Sequence, residues 1–130
     1  MTVDLWMLVY SALLCTLIPN AAVFGLSQLA GGMAWGFGNR DTPFPVPTWV
    51  ERVRRAHMNM VENLPVFAAL VLVAQVSGKA DATTALGSQI FFVARVAHVA
   101  IYVAGIPYLR TAAFGVSVVG EVMILLRLFA

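Results

Sequence analysis

The sequence predicts an all-α integral membrane protein, four helices packed as an up-down-up-down bundle. Three observations carry that expectation. Hydrophobic residues make up 61% of the chain, and the mean hydropathy is +0.87. Charged residues are 11% of it, where soluble domains carry about 25%. From Leu5 to Asn39 there is no charge at all. A soluble domain of 130 residues has too little interior to hide so much apolar surface. At about 20 residues per span the chain accommodates four crossings and short loops, so residues 1–130 read as one domain. A soluble enzyme, a DNA-binding module and a secreted disulfide scaffold are excluded.

The elements follow in order. A first span is expected from Val3 to Leu29, with Pro19 and Asn20 kinking it rather than stopping it. Ala30–Thr48 reads as a loop, because Gly31, Gly32, Gly36 and Gly38 precede prolines at 43, 45 and 47. Trp35 and Trp49 flank it, as interfacial aromatics do. A second helix starts at Thr48, an N-cap with Glu51 at capping-box spacing, and runs to Val76. Ser77–Asp81 is a tight turn with Gly78 as its C-cap. A third helix covers Ala82–Gly105, Pro107 breaks the chain, and a fourth helix covers Tyr108–Phe129. Arg40, Arg52, Arg54, Arg55 and Arg110 gather near one set of helix ends, and Lys79 and Arg127 near the other. The positive-inside rule then places the first and third loops in the cytoplasm.

Other totals decide little. A net charge of +2 gives no basic face for nucleic acid. Cys15 is the single cysteine; it reads as a packing residue, and no metal-ligand spacing is present. The first residues differ from a signal peptide in carrying Asp4 and no Lys or Arg.

Polar residues inside the spans carry the functional signal, since ionisable groups are costly in hydrocarbon. In the second helix Arg52, Arg55, Asn59, Glu62 and Asn63 fall within an arc of about 100°. In the third, Arg95, His98 and Tyr102 share a stripe at spacings of three and four. Counted from the loop side, Glu62, Arg95 and Glu121 lie about 12–14 residues deep, near mid-membrane. The expectation is a polar pocket open to the cytoplasm, with Arg52 and Arg110 at its mouth. Arginines suit a carboxylate through bidentate pairing, and Glu62 and Asn59 suit an amine, so the pocket fits an amino-acid-like or peptide-like ligand. Structural readings stand beside this. Arg95 can instead pair with Glu62 or Glu121, Arg52 and Arg54 can snorkel to headgroups, His57 reads as structural, and Trp6 and Tyr108 as interfacial anchors. A proton-coupled transporter using Glu62 and Glu121 would need the repeats and broken helices that this chain lacks.

The segment Glu51–Phe67, with its Arg-x-x-x-Asn-x-x-Glu core at Arg55, Asn59 and Glu62 followed by Pro65 and Phe67, resembles the signature of the MAPEG family, the membrane-associated proteins in eicosanoid and glutathione metabolism. The first-loop sequence Asn39-Arg40-Asp41-x-Pro43 is similar to short bacterial members. The resemblance implies a left-handed four-helix bundle, a homotrimer in a bacterial inner membrane, and glutathione as co-substrate bound between subunits on the cytoplasmic side. It assigns glutathione contacts to Arg55, Asn59 and Glu62 and lines the same site with His98 and Tyr102; Arg52 and Asn63, on the same ladder of the second helix, join them as candidate contacts. Arg110 takes the place of the arginine that faces the thiol. No arginine stands in the first span, where several family members carry a basic residue. The implied activity is a glutathione-dependent transferase or peroxidase acting on lipophilic electrophiles or lipid hydroperoxides from the bilayer, with membrane lipids as neighbours. The alternative is a non-catalytic lipid-binding or scaffold protein of the same fold.

Overall fold

A computed structural model describes residues 1–130 as five helices: α1 (Val3–Ser27), α2 (Gly32–Phe37), α3 (Thr48–Val76), α4 (Ala82–Ala104) and α5 (Pro107–Phe129). The four long ones are apolar enough to cross a membrane. At 1.5 Å per residue they measure roughly 35–44 Å, beyond the roughly 30 Å of hydrocarbon, so their ends reach the headgroups. The protein is an integral membrane protein. Helix α4 is central: it packs on α1, α3 and α5, while α1 and α5 lie on opposite sides of it.

The core is narrow. Only 24 residues are buried, and Leu13, Leu17, Phe24, Val93, Val119 and Leu126 lie more than half exposed on the outside, where lipid solvates them. Inside, Phe67 of α3 stacks on Phe91 of α4 at 3.9 Å between centroids, with Ile18, Met60, Val71 and Ile124 around them. The α4–α5 contact depends on two small residues. A Cβ on Gly87 would lie 2.7 Å from the Gly120 carbonyl oxygen, and one on Gly120 would lie 2.5 Å from the Gly87 carbonyl oxygen. Small residues let membrane helices approach to backbone contact in this way.

Several boundaries differ from the sequence expectations. The glycine-rich first loop contains a helix, α2. Gly31, at φ +77°, reverses the chain, and Gly32 then packs directly on the Leu26 carbonyl. Glycine here starts a helix that no proline interrupts before residue 43. Trp35 on α2 donates from Nε1 to the Thr42 carbonyl at 2.6 Å and stacks on Phe44, tying down the rest of the loop. Thr48 is not the N-cap of α3. Pro47 occupies that position, its carbonyl accepts from Val50 N–H at 2.9 Å, and no side chain caps the helix. Glu51 pairs instead with Arg54 at 2.7 Å. Ser77 caps the other end of α3, and Gly78 follows in the left-handed region at φ +69°. Pro107 is the first residue of α5, where a missing N–H costs nothing. Helix α1 runs through Pro19 unbroken.

The end of the bundle that carries the chain termini is closed by hydrogen bonds. Gln75 donates to Thr2 Oγ1 at 2.7 Å, Ser88 to the buried Asp4 carboxylate at 3.2 Å, and Lys79 Nζ to the Leu128 carbonyl at 2.7 Å. Asp81 caps α4 through Thr83 and Thr84 and pairs with Arg127 at 2.6 Å. The Arg127 bond, then the Thr84 N–H, hold the Asp81 carboxyl below its ordinary value of 3.8. A carboxyl depressed in the fold contributes stability above that ordinary value and loses it as pH falls through the depressed one.

Two outcomes are expected in detergent thermal melts. Gly120→Ala lowers stability by about 1–3 kcal/mol, the usual effect of overpacking. Asp81→Asn melts below wild type at pH 7, and the gap closes as pH drops below about 4.

Candidate functional site

The opposite end of the bundle, where α3 begins and α4 passes into α5, is open. Two adjoining clefts lie there. One, about 220 Å³, is lined by Asn59, His98, Tyr102, Arg110, Thr111 and Phe114. The other, about 130 Å³, is lined by Arg52, Arg55, Tyr102, Gly105, Ile106, Pro107 and Arg110. Tyr102 and Arg110 belong to both, and the Arg110 guanidinium sits over the Tyr102 ring, 4.4 Å from its centroid. The break at Gly105–Pro107 makes that meeting possible. Gly105 turns the chain at φ +83°, so Tyr102 on the last turn of α4 and Arg110 on the first turn of α5 face one another.

The structure gathers six of the eight residues singled out in the sequence: Arg52, Arg55, Asn59, His98, Tyr102 and Arg110. Arg52 is held by the fold. Its Nη1 donates to the Val103 carbonyl at 3.4 Å, and its guanidinium lies against Gly105, at the C-terminus of α4, where a cation is favoured. Arg55 lines the second cleft, is exposed, and bonds to nothing in the chain. His98 is 97% buried and packs edge-on to Tyr102 at 5.5 Å. Glu62 and Asn63 lie outside both clefts. Glu62 is exposed without a partner, and Asn63 donates to the Asn59 carbonyl at 2.7 Å.

Below the clefts lies Arg95, with no exposed surface. It forms no ion pair with Glu62 or Glu121, against the reading that paired it with one of them; the chain's only two salt bridges lie elsewhere. Its Nη2 instead donates to Asn59 Oδ1 at 2.6 Å and to the Asn59 carbonyl at 3.1 Å, and its Nη1 to Ser117 Oγ at 3.4 Å. Phe91 and Phe114 cover it, each 5.8 Å from the guanidinium carbon. Mid-depth position alone made the carboxylates look like its partners. Helical phase turns Asn59 rather than Glu62 to Arg95, while Glu121, one turn beyond Ser117 on the same face of α5, stays outside ion-pair distance.

Sequence reading missed Thr111 and Phe114 as lining residues. The signal was available for Phe114, four positions after Arg110 on the same helix face, and through it for Thr111, three positions before Phe114. Chemically, the two clefts join three guanidinium groups to an amide, an imidazole and a phenol. That set matches an anionic ligand bearing further polar groups.

Comparison with known proteins follows the same lines. The family model described as "MAPEG family" matches residues 3–130. Microsomal glutathione S-transferase 1 of Homo sapiens is 40% identical over 58 residues, which is 45% of this chain and 37% of that protein. The proteins of the same name from Rattus norvegicus and Bos taurus match to the same extent. The match thus spans under two fifths of these relatives' length. No solved structure matches.

The cradle at Gly105 is testable by itself. Gly105→Ala puts a Cβ onto the Arg52 guanidinium at a left-handed φ, and about 1–3 kcal/mol of stability is lost. Gly115→Ala, whose Cβ meets nothing within 4 Å, melts at or above wild type.

Proposed function

The chain belongs to the MAPEG family, and on that premise we propose that it is a membrane-bound glutathione-dependent transferase or peroxidase, a single domain over residues 1–130. One observation carries the reading: Arg55, Asn59, His98 and Tyr102, four of the residues whose pattern resembles the family's glutathione contacts, line two clefts that meet at Arg110 and Tyr102. The printed name of the similar mammalian proteins, microsomal glutathione S-transferase 1, supports the same chemistry.

In this reading Arg55, Asn59 and Glu62 hold the peptide part of glutathione, by guanidinium–carboxylate pairing and by carboxylate and amide contacts to its amine and carbonyls. Arg52 keeps Gly105 in its turn and so holds the second cleft open. His98 and Tyr102 form the wall, and Asn63 steadies Asn59. Arg110 is the catalytic residue: its charge lowers the thiol pKa and holds the thiolate, which is the nucleophile. The thiolate sulfur attacks a lipophilic electrophile arriving from the bilayer and displaces its leaving group. With a lipid hydroperoxide it attacks the terminal peroxide oxygen. That gives the lipid alcohol and a glutathione sulfenic acid, which a second glutathione converts to disulfide and water.

We also propose a homotrimer, with the first and third loops cytoplasmic in a bacterial inner membrane. Glu62 supports the oligomer. It stands at the middle of α3, exposed and unpartnered, and a carboxylate at the centre of a bilayer costs about 2.5–3.5 kcal/mol even on the mildest scale. A neighbouring copy lying over Arg55 and Glu62 removes that cost and completes the site.

Calorimetry of the detergent-purified protein with glutathione is the test, with ultraviolet absorbance following thiolate. Wild type is expected to bind and to show the thiolate band. Arg55→Ala and Glu62→Ala lose affinity by tenfold or more, and Arg110→Ala binds but loses the band and turnover. A wild type that leaves millimolar glutathione unbound, yet purifies with lipid in the clefts, would turn the reading to a lipid-binding protein.

A further inference from the structure

The buried Arg95 does more than satisfy the bundle. Its shortest contact in the chain is to one atom, Asn59 Oδ1, at 2.6 Å. The same Nη2 also reaches the Asn59 backbone carbonyl at 3.1 Å, and Asn63 Nδ2 grips that carbonyl from the next turn. Residue 59 is therefore held at both its backbone and its side chain. Asn59 is also a wall of the larger cleft, and its Nδ2 donates to no atom of the chain.

A side-chain amide can present either end to its neighbours. A guanidinium carries five donors and no acceptor. Turning the Asn59 amide over would set N–H donors against N–H donors and lose the charge-assisted bond. Such bonds favour one orientation by about ten- to hundredfold. No carboxylate lies in ion-pair range of Arg95, and its hydrogen bonds go to Asn59 and Ser117.

We propose that Arg95 is a positioning residue that fixes the polarity of the cleft: it claims the amide oxygen of Asn59, so that Asn59 offers only an N–H₂ donor to whatever binds, and the ligand group seated there must be an acceptor, a carboxylate or a carbonyl. The inference rests on the glutathione reading for the ligand used to test it. Arg95 touches no ligand atom; it acts through Asn59.

The test uses Asn59→Asp. An aspartate still gives Arg95 an oxygen, now within an ion pair, so the fold is retained. It replaces the outward donor with a second acceptor. Calorimetry with glutathione on the full chain in detergent should show wild-type binding, a melting temperature for Asn59→Asp equal to or above wild type, and an affinity at least tenfold weaker. In turnover the loss should fall on KM rather than kcat. Ser117→Ala, which removes another Arg95 contact and leaves Asn59 alone, should bind as wild type. A measurement on the unaltered protein backs this up. Asparagine-selective ¹⁵N labelling gives four side-chain amides, at residues 20, 39, 59 and 63. The Asn59 amide signal should shift on adding glutathione. Asn59→Asp binding as tightly as wild type, an Asn59 amide signal that ignores bound glutathione, or Ser117→Ala losing as much affinity as Asn59→Asp would each overturn the inference while leaving the glutathione reading in place. Wild type failing to bind glutathione would overturn both.

Discussion

An arginine with no exposed surface, at the centre of an apolar bundle, is the constraint around which the rest is arranged. Guanidinium keeps its proton in any protein setting, so burial must be answered by acceptors. No carboxylate supplies them; an amide, a backbone carbonyl and a hydroxyl do, from Asn59 on α3 and Ser117 on α5, under the rings of Phe91 and Phe114. Because α4 carries Arg95 and its acceptors stand on the two helices beside it, one charge fixes the mutual register of three spans. Removing one partner from a buried charge costs far more than the pair contributes. The contact therefore resists sliding of the helices better than apolar packing, which tolerates small slips.

Above Arg95 and below it, the two ends of the bundle differ. The end with the chain termini is tied by the Thr2–Gln75, Asp4–Ser88, Lys79–Leu128 and Asp81–Arg127 contacts, which cross between helices and leave little free polarity. At the other end the α4–α5 turn is held by Arg52 lying against Gly105, and the helices diverge into two clefts. A glycine at that turn is required twice, for its positive φ and for the guanidinium packed against it. The closed end resists the spreading that an open end invites. Polar contacts alone would not hold the open end, so the Gly87–Gly120 approach closer to the closed end matters for the α4–α5 pair as a whole.

Much of this was legible in the sequence, for a physical reason. Membrane spans declare themselves by uniform apolarity, and in such a background each polar residue is a signal. Hence the four spans and the Gly105–Pro107 break could be read, and six of the eight residues singled out, Arg52, Arg55, Asn59, His98, Tyr102 and Arg110, line the clefts. What failed was local or three-dimensional. Four glycines suggested a loop, yet Gly31 and Gly32 supply the turn and the close approach that start α2. Thr48 had the side chain for a cap, but Pro47 before it takes the cap position and Thr48 falls inside the helix. Depth alone pointed Arg95 to a carboxylate, but Glu62 lies off the azimuth of Asn59, and Glu121, on the face of Ser117, stays beyond ion-pair distance.

Azimuth also divides the polar ladder of α3 into two kinds of residue. At about 100° per residue, and measured from Arg55, Glu62 stands near −20°, Asn59 near 40°, Arg52 near 60° and Asn63 near 80°. The buried seam of Val50, Val53, Ala56, Met60, Phe67, Val71 and Ala74 centres near 140° on the same scale. The order of the ladder is thus the order of approach to the core. Asn63, Arg52 and Asn59, the nearer three, each hydrogen-bond within the chain. Arg55 and Glu62, the farther two, bond to nothing in it. Structural and ligand-facing roles therefore need not be opposed in one helix face. A rotation of about 60° separates the residues that build the wall from those left free to meet a ligand or a second copy. Asn59, at the boundary between the two groups, serves both, with its oxygen turned to Arg95 and its nitrogen left uncommitted.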